Sequence, residues 1–234
     1  MRRFDVLVLA LAFVVGATIF GLFFYQARTG GDSITVVGAA TENVSADVVK
    51  WRLTFGRNIR ADAVGEGYAL VAADVRGITE ALTAAGIGAK DVMVHPVTVN
   101  QLYGPEGIMS GYNVNQSMTV TSGDIDRIEK LAASPAELLG RGVVLQGSNL
   151  DYYVSELAPV KQRLLAAATE DARKRAEEIA SNAHVRLTKI QSARAGVFQI
   201  TEPYSTEVSD YGIYSTWTRE KAATVTVRAV FGVR

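Results

Sequence analysis

The stretch "VVKWRLTFGR", residues 48–57, decides the fold class of this chain, because apolar and polar side chains alternate along it. One face of the extended chain would carry its largest apolar side chains, namely Val49, Trp51, Leu53 and Phe55. The other face would carry lysine, arginine and threonine. Since successive side chains of a strand point to opposite faces, this pattern predicts a β-strand with one buried face.

The residues that follow change from this alternation to helical spacing. Between positions 61 and 85 the apolar side chains recur every three or four residues, which predicts a helix with one apolar stripe made of Val64, Tyr68, Val71, Val75, Ile78 and Leu82. Two further strands are predicted within "KDVMVHPVTVNQLY" (90–103) and "GYNVNQSMTVTS" (111–122). Residues 48–122 therefore have the order β-α-β-β.

The same order returns in residues 145–232. A strand near 145–153 precedes the longest predicted helix, 158–183, and two strands follow within 184–200 and 220–233. One edge of that helix is rich in alanine and is expected to lie close against a sheet; it consists of Val160, Leu164, Ala168, Ala172, Ala176 and Ile179. Two duplicated halves predict an α+β fold, with one mostly antiparallel sheet and the helices packed on one side.

The region between the halves predicts two short helices. The first begins at Asp124, and the sequence "SPAE" (134–137) interrupts it. Ser134 and Glu137 have the spacing of a capping box, and Pro135 would occupy the first helical position of the second helix.

An apolar run, "VLVLALAFVVGATIFGLFFY" (6–25), precedes the folded region. Twenty residues of helix span roughly 30 Å, the thickness of a bilayer core. The sequence therefore predicts a transmembrane signal-anchor over 1–27, a linker over 28–32 and a folded ectodomain over 33–234. A cleaved signal peptide is the alternative, although bulky residues stand where a peptidase needs small ones.

Charge predicts the orientation of this anchor. Arg2 and Arg3 lie before the apolar run, whereas Arg28 after it is soon offset by Asp32. By the positive-inside rule the N-terminus stays in the cytoplasm. We therefore expect a single-pass protein of a bacterial inner membrane, held in the lipid bilayer through residues 6–25, with its C-terminal domain in the periplasm.

Composition excludes several classes of function. The 24 basic and 24 acidic side chains balance, so the chain lacks the basic excess typical of nucleic-acid-binding proteins. It contains no cysteine, which excludes thiolate metal sites, disulfides and cysteine catalysis. The two histidines, His95 and His184, are far apart in the sequence and are interpreted as surface residues. We predict no catalytic residues, no cofactor and no metal site, and hence a non-enzymatic protein.

The best candidate for an interaction site is the polar segment "TEPYSTEVSDYGIYSTWTR" (201–219), here called the insert. It carries four aromatic residues, which often anchor protein interfaces. The candidate interface residues are Tyr204, Tyr211, Tyr214 and Trp217. The alternative is that the insert folds back and covers the edge of its own sheet.

Four segments together resemble the SIMPL-domain family, which includes a periplasmic immunogenic protein and an enterobacterial relative linked to oxidative stress. They are "ITVVGAATENVSADVVKWRLTF" (34–55), "AGIGAKDVMVHPVTV" (85–99), "GYNVNQSMTVT" (111–121) and "DARKRAEEIASNAHVRLTKI" (171–190). The later "GVFQI" and "VSDYGI" look like one sub-branch of this family, which we expect to be membrane-anchored.

The resemblance implies a fold of two β-α-β-β units and ring-like homo-oligomers outside the cytoplasmic membrane. It implies no catalytic residues, because the family has no established reaction. We therefore expect a periplasm-facing protein that self-assembles into a scaffold or ring, in envelope or oxidative-stress physiology. The alternative is a monomeric or dimeric module that binds a ligand or acts like a chaperone; a hydrolase without a recognisable motif is the least favoured interpretation.

Overall fold

The computed structural model describes residues 3–28, 32–135 and 142–234. The α-helices are α1 (Arg3–Arg28), α2 (Val64–Ala84), α3 (Ile125–Ala133) and α4 (Leu157–Asn182). The strands are β1 (Ser33–Ser45), β2 (Val48–Ile59), β3 (Val92–Val94), β4 (Thr98–Tyr103), β5 (Met109–Ser122), β6 (Leu145–Tyr153), β7 (Leu187–Ala195), β8 (Gln199–Thr201), β9 (Ile213–Tyr214) and β10 (Glu220–Val233). The second short helix predicted from Pro135 falls mostly outside the described residues.

The α+β class is confirmed, and the sheets are mainly antiparallel, but the strands form two sheets where the sequence predicts one. The first sheet has the order β3-β5-β2-β6, with β4 also paired to β5. The second has the order β1-β10-β8-β9, with β7 also paired to β10. Strand β6 begins the second half of the chain, yet it pairs with β2 from Val48↔Tyr153 onward. Alternation specifies which face of a strand is buried and does not specify its neighbour.

The chain forms two compact units. One contains Met1–Ala40, Leu165–Gly196 and Val225–Arg234, and the other contains Thr41–Leu164 and Val197–Thr224. The core of the second unit confirms the predicted strand face, since Val49, Trp51, Leu53 and Phe55 of β2 have no exposed surface. Helices α2 and α3 cover this same face through Val71, Ile78, Leu82, Ile125 and Ile128.

The buried face of α2 differs from the predicted stripe. Tyr68 is exposed, whereas Asp74 is buried on the same helix. Asp74 accepts two hydrogen bonds from Arg57 of β2, at 2.6 Å from Nη2 and 2.9 Å from Nε. A buried carboxylate of this kind needs a partner with the opposite charge, and the two-point contact with Arg57 provides one.

The first unit confirms the close approach of α4 to its sheet. Ala172 and Ala176 pack against Val36 of β1 and against Ala229 and Phe231 of β10. Towards the end of this helix the buried residue is Ala180, and the predicted Ile179 is exposed. The small side chains allow the helix backbone to lie directly on β1.

Helix α1 contains the apolar segment Leu7–Tyr25, with a mean hydropathy of 2.6. None of this segment is buried by the rest of the described chain, which distinguishes it from a core helix. By length and composition α1 is able to cross a membrane.

Candidate functional site

The insert is attached to the edge of the second sheet by two short strands. Strand β9 lies near the end of the insert and runs parallel to β8, with Gln199 opposite Ile213 and Ile200 opposite Tyr214. The side-chain amide of Gln199 also donates to the carbonyl oxygen of Ser209 at 2.7 Å. The insert thus covers part of its own sheet edge, which is the alternative that the sequence left open, and it still presents other residues outward.

A fully buried lysine lies beneath the insert. Lys221 of β10 has no exposed surface, and its Nζ donates to the carbonyl oxygens of Ser215 and Thr218, each at 2.7 Å. Burial lowers the pKa of Lys221, and the nearby Glu202 carboxylate opposes that shift. Because a buried ammonium group needs oxygen acceptors, Lys221 holds the end of the insert in place.

Tyr214, one of the four candidate interface residues, is engaged within the chain. Its ring stacks on Tyr153 with centroids 6.1 Å apart, and its hydroxyl oxygen accepts a hydrogen bond from the backbone N–H of Val154 at 2.8 Å. The Nζ of Lys221 lies 5.8 Å from the centroid of the Tyr214 ring. Tyr214 is 37% exposed, and its contacts attach the insert to the end of β6 within the second unit.

The other three candidate residues point into solvent. Tyr204 and Tyr211 are fully exposed, and Trp217 is 78% exposed. Tyr204 also has a φ of 67°, in the left-handed region that L residues with large side chains avoid. These side chains contribute little to the core, and their role in an interface stays a prediction.

Two grooves flank α4 in the first unit. One, of about 540 Å³, lies between α4 and β1 and is lined by Val37, Arg175, Glu178, Ile179 and Asn182, with Thr35 and Val36. The other, of about 380 Å³, lies between α4 and β7. Its apolar lining consists of Leu187, Ile190 and Phe231, and the charged residues Glu170, Arg173 and Glu177 of α4 lie at its rim.

Within residues 3–28, 32–135 and 142–234 no three side chains of histidine, aspartate or glutamate are grouped so that they would hold a metal ion. His95 directly follows β3, and its Nε2 lies 2.9 Å from the hydroxyl oxygen of Thr119 in β5. His184 is exposed in the turn after α4. The sequence did not single out Lys221, although it falls in phase with the buried Ala223 and Val225 of β10.

Comparison with known proteins identifies the family. A family model described as "SIMPL: Protein of unknown function (DUF541)" matches residues 34–231, which is well over half of the chain. No curated protein matches. The match begins in β1 and ends in β10, so it covers α2 to α4 and the insert and does not include α1. It confirms the resemblance found in the four sequence segments. The chain belongs to the SIMPL family.

Proposed function

We propose that this protein is a non-enzymatic, membrane-anchored subunit of a homo-oligomeric scaffold or ring, and that the exposed aromatic residues of the insert make its subunit contacts. The observation that carries the proposal is Tyr204. This residue combines a fully exposed aromatic ring with a left-handed backbone. Such a backbone costs a tyrosine roughly 1–2 kcal/mol relative to the right-handed region.

Folding alone would favour glycine or asparagine at position 204, because both tolerate a positive φ. A strained residue that contributes nothing to the core supports a role outside the fold. Tyr211 and Trp217 add two more exposed rings to the same insert. Tyrosine and tryptophan are enriched among the residues that contribute most to protein interfaces.

The proposed location is the periplasmic face of a bacterial inner membrane. Helix α1 would be the anchor, and Arg2 and Arg3 would keep its N-terminus in the cytoplasm. Confinement of the subunits to one plane raises their effective concentration, which favours weak contacts. Mass spectrometry of the mature protein distinguishes an intact anchor from a cleaved signal peptide, because cleavage would remove the apolar segment.

The test is the native mass of the full-length protein in lipid nanodiscs, measured by mass photometry. We compare the parent chain with a variant carrying Tyr204→Asn, Tyr211→Ser and Trp217→Ser. The expected result is a large assembly for the parent and much smaller species for the variant. Deletion of residues 203–217 is a poorer test, because it would also remove the acceptor Ser215 and leave Lys221 short of partners.

A control variant removes exposed apolar side chains elsewhere, at Tyr68, Tyr103 and Ile108. It is expected to assemble like the parent. A parent chain that stays monomeric in nanodiscs would contradict the proposed function, and an insert variant of unchanged mass would remove the insert from the interface. A deletion strain tested for sensitivity to oxidants and to detergents addresses the proposed role in stress or envelope physiology.

A second candidate function, a monomeric or dimeric ligand-binding module, is favoured by the groove between α4 and β1. Its volume of about 540 Å³ falls within the range of small-molecule sites, and it combines Val37 and Ile179 with the charged Arg175 and Glu178. This function predicts that a bound small molecule raises the unfolding temperature. Ile179→Glu would abolish the shift, since it places a charge on the apolar side of the groove.

A further inference from the structure

We infer that the outer edge of β7 and the groove beside it receive the insert of a second copy of this chain. This inference rests on the proposed self-assembly and names its two surfaces. The first, called the β7 surface, consists of Leu187–Ala195 and the groove between β7 and α4. The second is the insert, residues 201–219, through its exposed aromatic and acidic residues.

Strand β7 has an unpaired outer edge. It pairs with β10 on one side, from Val227↔Ala195 to Val233↔Leu187, and no other strand in the described part of the chain pairs with it. Every residue from Thr188 to Ala195 is exposed. The opposite edge of the sheet is partly covered, because the N–H of Ala39 in β1 donates to the Asp171 carboxylate at 2.9 Å. An open edge presents backbone donors and acceptors to another chain.

The groove beside β7 offers apolar surface for an aromatic side chain. Its volume is about 380 Å³, and Leu187, Ile190 and Phe231 supply its apolar lining. At its rim, Arg173 forms ion pairs with both Glu170 and Glu177, so one negative charge remains there in excess. With Lys189 and Arg194 of β7 included, three basic and two acidic side chains give the β7 surface a net charge of +1. An exposed tryptophan or tyrosine from another subunit would bury its ring in such a site.

The charges of the two surfaces are complementary. Strand β7 carries Lys189 and Arg194 and contains no acidic residue, and Arg186 directly precedes it. Residues 202–218 of the insert carry Glu202, Glu207 and Asp210 and contain no basic residue. Complementary charge favours the correct partner and speeds its association.

The aromatic residues of the insert suit the same cations. A lysine or arginine placed over the face of tyrosine or tryptophan gains a favourable cation–π interaction. Tyr204, Tyr211 and Trp217 therefore match the β7 surface in two ways, through its apolar groove and through Lys189 and Arg194. The β7 strand of a second copy would bring only charges of the same sign. This disfavours a symmetric pairing of two β7 edges.

The inferred contact is head-to-tail, with the two surfaces of one subunit engaged by two different neighbours. Each subunit uses its β7 surface for one neighbour and its insert for the other. Such contacts build a closed ring when the rotation between subunits closes, and a filament when it does not. A two-fold dimer with reciprocal contacts would instead use both surfaces between the same two subunits, and the doubly substituted chain of the crosslinking test below would then give a dimer without higher species.

The absence of cysteine permits a direct crosslinking test. Ser192→Cys is placed in the exposed edge of β7, and Val208→Cys in the exposed tip of the insert. The two full-length single variants are reconstituted together in lipid vesicles and treated with a short bifunctional thiol reagent. The expected product is a dimer that contains one copy of each variant, and the double variant is expected to give a ladder of higher species.

Three controls and outcomes decide the inference. Ser110→Cys, exposed near another turn, replaces Val208→Cys and should give no product with Ser192→Cys. Crosslinking of Ser192→Cys with itself would overturn the inference in favour of symmetric β7 pairing. A large native mass without the mixed product would overturn it and leave the proposed self-assembly standing, whereas a monomeric parent would overturn both.

Charge reversal provides an independent test. Lys189→Glu with Arg194→Glu, and separately Glu207→Lys with Asp210→Lys, are each expected to reduce the native mass in nanodiscs. The combination of all four changes is expected to restore it, because the complementarity is then inverted. The reversal of the exposed pair Arg60→Glu and Asp62→Lys is the control and should leave the mass unchanged. The inference would be contradicted if the combined variant did not regain the native mass of the parent although both double variants are folded.

Discussion

Gly38 of β1 lies directly against Ala172 of α4. A Cβ atom at position 38 would be 2.4 Å from the backbone nitrogen of Ala172 and 2.2 Å from the carbonyl oxygen of Ala168. Real Cβ atoms do not approach backbone atoms this closely. The close approach of strand and helix in the first unit therefore requires glycine in the strand as well as alanine in the helix.

Gly38→Ala is expected to destabilise the protein by about 2–3 kcal/mol, because backbone atoms of the helix would have to move to admit one methyl group. Thermal unfolding followed by far-ultraviolet circular dichroism measures the loss. The matched control is Gly65→Ala in the first turn of α2, where nothing lies within 4 Å. That change should stabilise the helix by about 0.5 kcal/mol. Equal effects of the two substitutions would contradict the proposed packing.

The ion pair of Arg57 with Asp74 is expected to show strong coupling. Asp74→Leu alone leaves a largely buried guanidinium group without its partner and should cost about 3 kcal/mol. The double variant Arg57→Met with Asp74→Leu should be much less destabilised than the sum of the single changes. A double-mutant cycle on the exposed pair Arg60 and Asp62 is the control and should give less than about 1 kcal/mol of coupling. Additive effects at Arg57 and Asp74 would rule out this coupling.

Lys221→Met is expected to loosen the insert while the rest of the protein stays folded. Loss of the two hydrogen bonds to Ser215 and Thr218 is partly offset, since methionine needs no buried acceptors. We expect cleavage within residues 202–218 by a low concentration of protease to become about tenfold faster, which corresponds to roughly 1.4 kcal/mol of local stability. Lys90→Met, at an exposed position, should not change the rate. Unchanged cleavage in Lys221→Met would mean that other contacts hold the insert.

The buried hydroxyl of Tyr152 is expected to make the protein less stable at alkaline pH. Burial, together with the hydrogen bond that its hydroxyl donates to Glu129 at 2.9 Å, raises the pKa of Tyr152 to about 12. Between its ordinary pKa near 10 and this value the folded state retains a proton that the unfolded state loses, so the free energy of unfolding falls as the pH rises. Across this pH window the free energy of unfolding of Tyr152→Phe should fall by up to about 2 kcal/mol less than that of the parent. Urea unfolding at several pH values checks this, and parallel curves would contradict it.

The sequence was sufficient to predict which side chains are buried where burial follows from the local spacing of apolar residues. The alternation of β2 correctly placed Trp51 and Phe55 in the core, and the spacing along α4 correctly placed Ala168 and Ala172 against the sheet. The sequence was insufficient to predict burial where it depends on a partner that is distant along the chain. Asp74 is inside the protein because Arg57 of another element meets it, and helical periodicity contains no information about that strand.

The candidate site was only partly visible for the same reason. The four aromatic residues of the insert look alike in sequence, and only the three-dimensional contacts separate Tyr214, which stacks on Tyr153, from Tyr204 and Tyr211. Lys221 was detectable in principle, because it occupies an inward position in the alternation of β10. The carbonyl oxygens that accept its hydrogen bonds belong to the irregular insert, whose backbone path no periodicity predicts.

The pairing of β1 with β10 has a mechanical consequence. Strand β1 follows α1 after a few residues and runs antiparallel to β10, with Asp32 bonded to Val233 at one end and Ser45 to Glu220 at the other. Hydrogen bonds of such a pair lie perpendicular to the strands, so tension directed along β1 stretches them all at once. A pull transmitted through α1 in this direction therefore meets the shear resistance of a thirteen-residue strand.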